Sequence, residues 1–261
     1  MPYTPSTTGK PCWYELGTTD LDAATTFYES VLGWNVQKTP MPDMDYRLAN
    51  DSDGHGCAGM MSLADQQDAP PPNWLFYLEV GDADAVAQQI TSLGGSVVQA
   101  PADIPGTGRF AVVTDPQGAF FGILQPQPMD EAPEVSAFDQ SRTAHGNWHE
   151  LATTDPEAAF GFYSEIFGWA KGEAMDMGAD GTYQIFSGAG TDLGGIMGMM
   201  MAPRPGWLSY FGVTGVEGAI ARATDGGGSV VHGPNEVPGG AWVAIIADPQ
   251  GAVFGITGPQ R

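Results

Sequence analysis

The 261-residue sequence predicts an α+β fold: four βαβββ modules arranged as two tandem copies of one domain. Three observations carry this. A long internal repeat spans nearly the whole chain. Each copy reads twice as strand, helix, then short strands. The composition, with 37 glycines and 21 prolines beside 42% apolar residues, suits many turns around real cores.

The repeat comes first because it sets the architecture. Cys12-Trp13-Tyr14-Glu15-Leu16 returns as Asn147-Trp148-His149-Glu150-Leu151, at an offset of 135 positions. Phe27-Tyr28 and Gly33-Trp34 return as Phe162-Tyr163 and Gly168-Trp169 at the same offset. Asp115-Pro116-Gln117-Gly118 returns as Asp248-Pro249-Gln250-Gly251, now offset by 133. The expected boundaries are a first domain over 1–125, a linker over 126–146 and a second domain over 147–261. The modules fall at about 12–63, 74–125, 147–201 and 207–257.

In order, residues 13–18 predict a strand. Asp20 then caps a helix whose Ala24, Phe27 and Val31 share a face and which Gly33 ends. Residues 46–49 and 57–63 predict short strands. Residues 74–80 open the second module. A helix follows with Asp82 as cap, Val86, Ile90 and Leu93 as its apolar stripe, and Gly94-Gly95 as its stop. Strands over 96–99, 110–114 and 120–124 complete the copy, the last two joined by the Asp-Pro-Gln-Gly turn. In the second copy Asp155 caps a helix with Pro156 at its first position, where a missing N–H costs nothing. Ala159, Phe162 and Ile166 form its core face. The helix over 216–224 is weakened by Gly218. The linker, rich in Pro, Asp, Glu and Ser, is expected to run over the surface.

A net charge of −22, with nine lysines and arginines, repels phosphate backbones and anionic lipid, so no nucleic-acid or membrane partner is expected. No apolar run is long enough to span a bilayer and no signal-like N-terminus is present, so the expected compartment is cytoplasmic. Cys12 and Cys57 read as small core residues. Ser/His/Asp sets, phosphate loops and dinucleotide glycine patterns are absent, which removes hydrolase, kinase and Rossmann readings.

Paired modules with Phe-Tyr and Gly-Trp near the end of helix one, and an Asp-Pro-x-Gly turn before the last strand, resemble the vicinal-oxygen-chelate (glyoxalase/bleomycin-resistance/dioxygenase) superfamily. The tandem form resembles its actinobacterial antigen and hydroxylase group. The resemblance implies that module pairs curl into sheet cups. In metal-dependent members, side chains from the first and last strands of each module meet at a divalent cation. Counted from the motifs, those positions fall here on Trp13, Trp148, Gly122 and Gly255, and then on Gly59, Leu75, Gly195 and Leu208. None is a plausible ligand, so the expected cofactor is none and the expected metal site is none. His149 is the best single candidate for a displaced ligand, but neighbouring strand residues face opposite sides, so it cannot easily share an ion with Glu150.

Strand phase turns Trp13 and Glu15 to one face, and Trp148 and Glu150 likewise. A tryptophan beside a carboxylate suits a small organic ligand, although the tryptophans would equally fill core. Glu15 and Glu150 are the candidate catalytic residues, since desolvation would raise their pKa and fit them for proton transfer. Trp74, Trp207, Tyr46 and Tyr183 are further ligand-binding candidates, with core packing as the competing role for the tyrosines. Arg109 would anchor an anionic ligand or serve as a surface residue; its counterpart is Trp242. Three functions follow: a metal-independent binder of a small apolar or aromatic molecule, a glyoxalase- or dioxygenase-like enzyme, or a scaffold with vestigial pockets. The expected assembly is a monomer built as a pseudo-dimer, or a weak homodimer. Whether cups form within a domain, or module one pairs with four and two with three, stays open.

Overall fold

A computed structural model of the chain describes residues 8–39, 45–64, 69–128, 135–200 and 202–261. Every module has the βαβββ order. The first holds β1 (Pro11–Thr18), α1 (Leu21–Leu32), β2 (Asn35–Lys38), β3 (Tyr46–Asn50) and β4 (Gly56–Ser62). The second holds β5 (Asn73–Glu79), α2 (Ala83–Ser92), β6 (Ser96–Ile104), β7 (Gly108–Thr114) and β8 (Phe120–Pro126). The third holds β9 (Gly146–Ala152), α3 (Pro156–Phe167), β10 (Ala170–Asp176), β11 (Thr182–Gly188) and β12 (Thr191–Met197). The fourth holds β13 (Gly206–Gly212), α4 (Val216–Asp225), β14 (Ser229–Glu236), β15 (Trp242–Ala247) and β16 (Val253–Gly258). Among the described residues no helix is long and apolar enough to cross a membrane.

Local chemistry explains the helices. Asp20 accepts from the backbone N–H groups of Asp22 and Ala23, and Gly33 closes α1 in the left-handed region at φ +74°. Asp155 and Pro156 open α3 as expected, and Gly168 ends it at φ +68°. In α2 the buried stripe is Ala83, Ala87 and Ile90, while Leu93 is exposed. The expected Val86–Ile90–Leu93 face is therefore rotated towards the alanines. Helix α4 forms without a side-chain cap, from Gly215. Trp74 and Trp207 stand inside β5 and β13.

The strands form two mixed, eight-stranded sheets, in the orders β2-β3-β4-β1-β5-β8-β7-β6 and β10-β11-β12-β9-β13-β16-β15-β14. Neither order closes on itself. The compact units follow a different rule. One takes the chain up to Cys12, Phe76–Glu134 and His149–Trp207, and the other takes Trp13–Leu75, Val135–Trp148 and Leu208–Arg261. Module two thus groups with module three, and module one with module four. Each repeat keeps its own sheet, while the compact units pair module one with module four and module two with module three.

The second unit (modules one and four) is centred on aromatic rings. Tyr14 packs edge-on to Phe211 at 5.2 Å, and Tyr28 meets Trp34, Trp74 and Phe254 at 5.2–5.7 Å. Polar atoms inside this core are paired. The Trp74 indole N–H donates to the Tyr28 hydroxyl at 2.9 Å, and that hydroxyl donates to Asp248 Oδ2 at 2.9 Å. Asp248 Oδ1 accepts from the backbone N–H of Gln250 and Ala252, closing the Asp-Pro-Gln-Gly turn, with Gly251 at φ +98°. The first unit repeats this: Trp207 donates to Tyr163 at 2.9 Å, Tyr163 to Asp115 at 3.1 Å, and Asp115 holds the N–H groups of Gln117 and Ala119. The tyrosine of one module's helix thereby reaches the turn of its partner module.

The linker departs from expectation. Ala137, Phe138, Ala144 and His145 are buried, so its second half is core of the second unit rather than surface covering. Asp51 holds it there. His145, fully buried, places its two ring nitrogens 2.8 Å from the Ser136 carbonyl and 3.1 Å from Asp51 Oδ2. Arg142 and His55 approach the same carboxylate at 3.2 and 3.1 Å. His145 and its backbone hydrogen bonds hold Asp51 well below the usual carboxylate range against the opposing effect of burial, which is the largest single influence on it.

Removing either buried phenol should leave an indole N–H and a carboxylate oxygen without their partner. Tyr28→Phe and Tyr163→Phe are each expected to cost about 2 kcal/mol of stability in urea titrations. Values within a few tenths of wild type would mean the relays are not structural.

Candidate functional site

The predicted residues are best placed strand by strand. In the second unit β1 runs parallel to β4 with Glu15 opposite Gly59, and β3 runs antiparallel to β4 with Leu48 opposite Gly59 and Tyr46 opposite Met61. Directly opposed residues share a face, so Trp13, Glu15, Tyr46, Leu48, Gly59 and Met61 lie on one side of these three strands. Tyr14 and Leu16, on the other side, are fully buried. Strand phase had predicted this division.

Two glycines shape that face. A Cβ on Gly59 would collide with the ring and hydroxyl of Tyr46. A Cβ on Gly56 would touch the six-membered ring of Trp13 at 3.4 Å. Both rings therefore lie directly over β4. They are also joined: the Trp13 indole N–H donates to the Tyr46 hydroxyl at 3.2 Å, and that hydroxyl donates to Glu15 Oε2 at 3.1 Å. Burial first, and then the Glu15 charge, push the Tyr46 phenol well above its ordinary pKa, so it keeps its proton.

The first unit contains the matching set. Glu150 lies opposite Gly195, Gly195 opposite Ile185, and the Tyr183 hydroxyl donates to Glu150 Oε1 at 3.0 Å. The Tyr183 ring occupies the space above Gly195. On β9 the half-buried Trp148 precedes Glu150 by two residues and is the last residue of its segment in the second unit. Two further tyrosines, which sequence reasoning did not single out, do the same one strand pair along: Tyr77 covers Gly122, its direct partner on β8, and Tyr210 covers Gly255 on β16. Their recurrence at an offset of 133 was the available signal.

The other candidates are placed elsewhere. Trp74 and Trp207 spend their indole N–H groups on Tyr28 and Tyr163 in the aromatic cores. Arg109 makes a bidentate ion pair with Asp84 at 2.6 and 3.0 Å and a further pair with Asp103 at 3.0 Å, a surface clamp between β7 and the start of α2. His149 is buried, with Nδ1 2.9 Å from the Leu193 carbonyl and its ring stacked on Phe76 at 4.8 Å. Two clefts in the second unit, of about 710 and 530 Å³, are lined by residues such as Asp53, Arg142, Arg222 and Phe27, and by none of the predicted site residues.

Comparison with known proteins matches this architecture. Residues 11–123 and 145–256 each match the Glyoxalase/Bleomycin resistance protein/Dioxygenase superfamily. The chain belongs to this superfamily. A Mycobacterium bovis relative, Putative glyoxylase CFP32, is 32% identical over 255 residues, covering 96% of this chain and 95% of its own. Anthracycline biosynthesis protein DauV of Streptomyces sp. (strain C5) is 32% identical over 263 residues, covering 95% and 92%. Among solved structures, the Mn(II)-bound glyoxalase from Novosphingobium aromaticivorans superposes with a TM-score of 0.67 at 15% identity, over 98% of this chain and 84% of that one. The 2,3-dioxygenase LapB from Pseudomonas sp. KL28 gives 0.65 at 16%, over 97% and 93%. At such identities these structures establish the fold.

The metal site that the superfamily implies does not fit the residues present. Its inferred positions carry indole rings, leucines and glycines, none of which offers a lone pair to a hard cation. The glycine positions are filled by tyrosine rings rather than left open. Among the described residues, the grouping with ligand-like spacing is Asp51, Asp53 and His55. Arg142 already bridges its two carboxylates at 3.2 and 3.3 Å, which opposes a second cation there.

His149 carries a pH signature. Burial pushes its pKa down to about 4, so the folded chain holds it neutral. An unfolded histidine titrates near about 6.5. Between these values the unfolded state binds the extra proton, so this residue's stabilisation is complete above the upper value and is lost as pH falls towards the lower, by about 3 kcal/mol in all. His149→Gln should flatten the decline of stability over that window; an unchanged slope would remove His149 as its source.

Proposed function

We propose that the chain is a metal-independent binding protein for a small, largely aromatic molecule, held against the faces that carry Trp13 and Trp148. The observation that carries this reading is the tyrosine ring laid over each of Gly59, Gly122, Gly195 and Gly255. Where a metal centre would need donor atoms, the chain supplies flat aromatic and apolar surface. Such surface, with a few fixed polar groups, suits an organic ring through burial and stacking. Leu48 and Met61 extend it beside Tyr46, half-buried as Trp13 is. The likeness to an anthracycline biosynthesis protein supports an aromatic compound as the ligand class.

A second reading is favoured by Glu15 and Glu150, each hydrogen-bonded to a protonated phenol, and by the relative's name as a putative glyoxylase. On it, the carboxylates act as general bases towards a bound substrate. Elemental analysis after incubation with Mn²⁺, Fe²⁺, Ni²⁺ and Zn²⁺, then dialysis, tests the first reading. It expects less than about 0.1 metal per chain, because a site without donors has no affinity to hold an ion through dialysis; near-stoichiometric retention would overturn it. Titration of tryptophan fluorescence with naphthalene-sized ligands should show saturable quenching. If turnover of a carbonyl substrate is found, Glu15→Gln with Glu150→Gln should lower kcat at least about 100-fold under the second reading; full activity in that variant would remove both carboxylates from the chemistry.

A further inference from the structure

The second unit holds a positive charge that its packing does not need. Arg222, half-buried on α4, donates from Nε to the Ser30 carbonyl at 2.6 Å and from Nη2 to the Val31 carbonyl at 3.0 Å. Both acceptors are neutral and lie in the last turn of α1. Among the described residues no carboxylate comes within ion-pair distance of this guanidinium, although the chain has 31 acidic residues to nine lysines and arginines. The first unit shows what the packing does need. At the same helix position, at the offset of 133, Gln89 of α2 reaches the carbonyl of Glu165, the counterpart of Ser30, at 3.4 Å. A neutral amide therefore suffices to join the two helices. Space is also arranged for the larger group. A Cβ on Gly218 would press on Arg222 Nη1 at 3.3 Å, whereas α2 has Ala85 at the matching place. The glycine that weakens α4 thus makes room for the guanidinium.

A guanidinium has five N–H donors, and the two carbonyls take one each from Nε and Nη2. Both donors on Nη1 and one on Nη2 remain, the edge that meets an oxyanion in a bidentate way. Arg222 lines the cleft of about 710 Å³ together with Arg142, Ser30, Thr143 and Thr214. The carboxylates of that cleft, Asp51 and Asp53, are both held by Arg142 Nη1, at 3.2 and 3.3 Å. The smaller cleft, which Arg222 also lines, has Asp225 in its wall and so opposes an anion. We propose that the larger cleft of the second unit binds a small organic oxyanion, a carboxylate or a phosphate ester, with Arg222 as its anchor. Its volume far exceeds a bare ion, and the hydroxyls of Ser30, Thr143 and Thr214 suit a polar body attached to the anionic group. The net charge of −22 acts weakly here, because charges beyond about 8 Å are screened at physiological ionic strength and the nearest groups decide. The competing role for the charge is to complement the negative end of the α1 dipole.

The test titrates the full chain calorimetrically with succinate and with glycerol 3-phosphate, at about 0.15 M salt. Succinamide and glycerol are the neutral controls. All four are aliphatic, so failure here is distinct from failure of the aromatic-ligand reading. At least one anion is expected to bind below about millimolar and at least about tenfold tighter than its control, the scale of one charge-assisted hydrogen bond. The tighter of the two tells a carboxylate ligand from a phosphate ester. Arg222→Gln, which installs the residue of the first unit, should weaken that binding at least about tenfold. Its melting temperature should stay within about 4 °C of wild type. A larger fall would assign the charge to the end of α1 and overturn the proposal. Anions that bind no better than their controls, or not below about millimolar, would overturn it too. Binding that survives in the Gln variant would remove Arg222 as the anchor.

Discussion

Everything in the fold is arranged around a phenol donating a proton to a buried carboxylate: Tyr28 to Asp248, and Tyr163 to Asp115. Asp248 and Asp115 are each almost wholly buried, and burial raises their pKa. Such groups are tolerated only when their lone pairs are filled. Two backbone N–H groups and one phenol do this, and the phenol comes from the helix of the partner module, module one for Asp248 in module four and module three for Asp115 in module two. The Asp-Pro-Gln-Gly turn consequently adopts its shape only in the presence of the partner module. The tryptophan that donates to the same phenol then fixes where β5 or β13 begins. A motif set that recurs along the chain, Phe-Tyr, Gly-Trp, Trp and Asp-Pro-Gln-Gly, is thus one interior read from four places.

Much of this was legible in the sequence, because much of it is periodic. Helix caps at Asp20, Asp82 and Asp155, the glycine stops and the alternation on β1 and β9 are local signals, and the repeat doubles each of them. Strands β2 and β10 were missed: β2 is four residues long and β10 almost wholly exposed, so neither shows an apolar alternation to detect. The buried second half of the linker was missed as well, because Ser, Asp, His and Arg read as polar surface. The convergence of Arg142, His145 and His55 on Asp51 lets His145 be buried there, beside Ala137, Phe138 and Ala144.

For the site, sequence reasoning found the side chains and the blank positions but not the relation between them. Counting from motifs located Gly59 and Gly195 as places without a ligand. It could not show that the absence of a side chain is itself a requirement, because the ring that needs the space sits on a neighbouring strand. Tyr46 and Tyr183, read as ligand-binding candidates with core packing as the competing role, donate their hydroxyls to Glu15 and Glu150. Trp74 and Trp207, read as ligand-binding candidates, serve the relays instead. Residue type and strand phase name the participants in a site; cross-strand register decides which of them meet.

The interleaving of modules also bears on how the chain is made. Segments of the first unit are all in hand once Trp207 has been synthesised, whereas the second unit needs the turn at Asp248 before Tyr28 has an acceptor. Helix α1, formed among the earliest residues, must wait for some of the last. During translation the apolar face bearing Phe27, Tyr28 and Trp34 has no finished surface to bury against, for nearly the whole length of the message. A growing chain of this design depends on late, long-range closure, which is slow and leaves sticky surface uncovered meanwhile. The abundance of acidic residues then has a second use, keeping half-made chains apart by their mutual repulsion until the closing strand arrives.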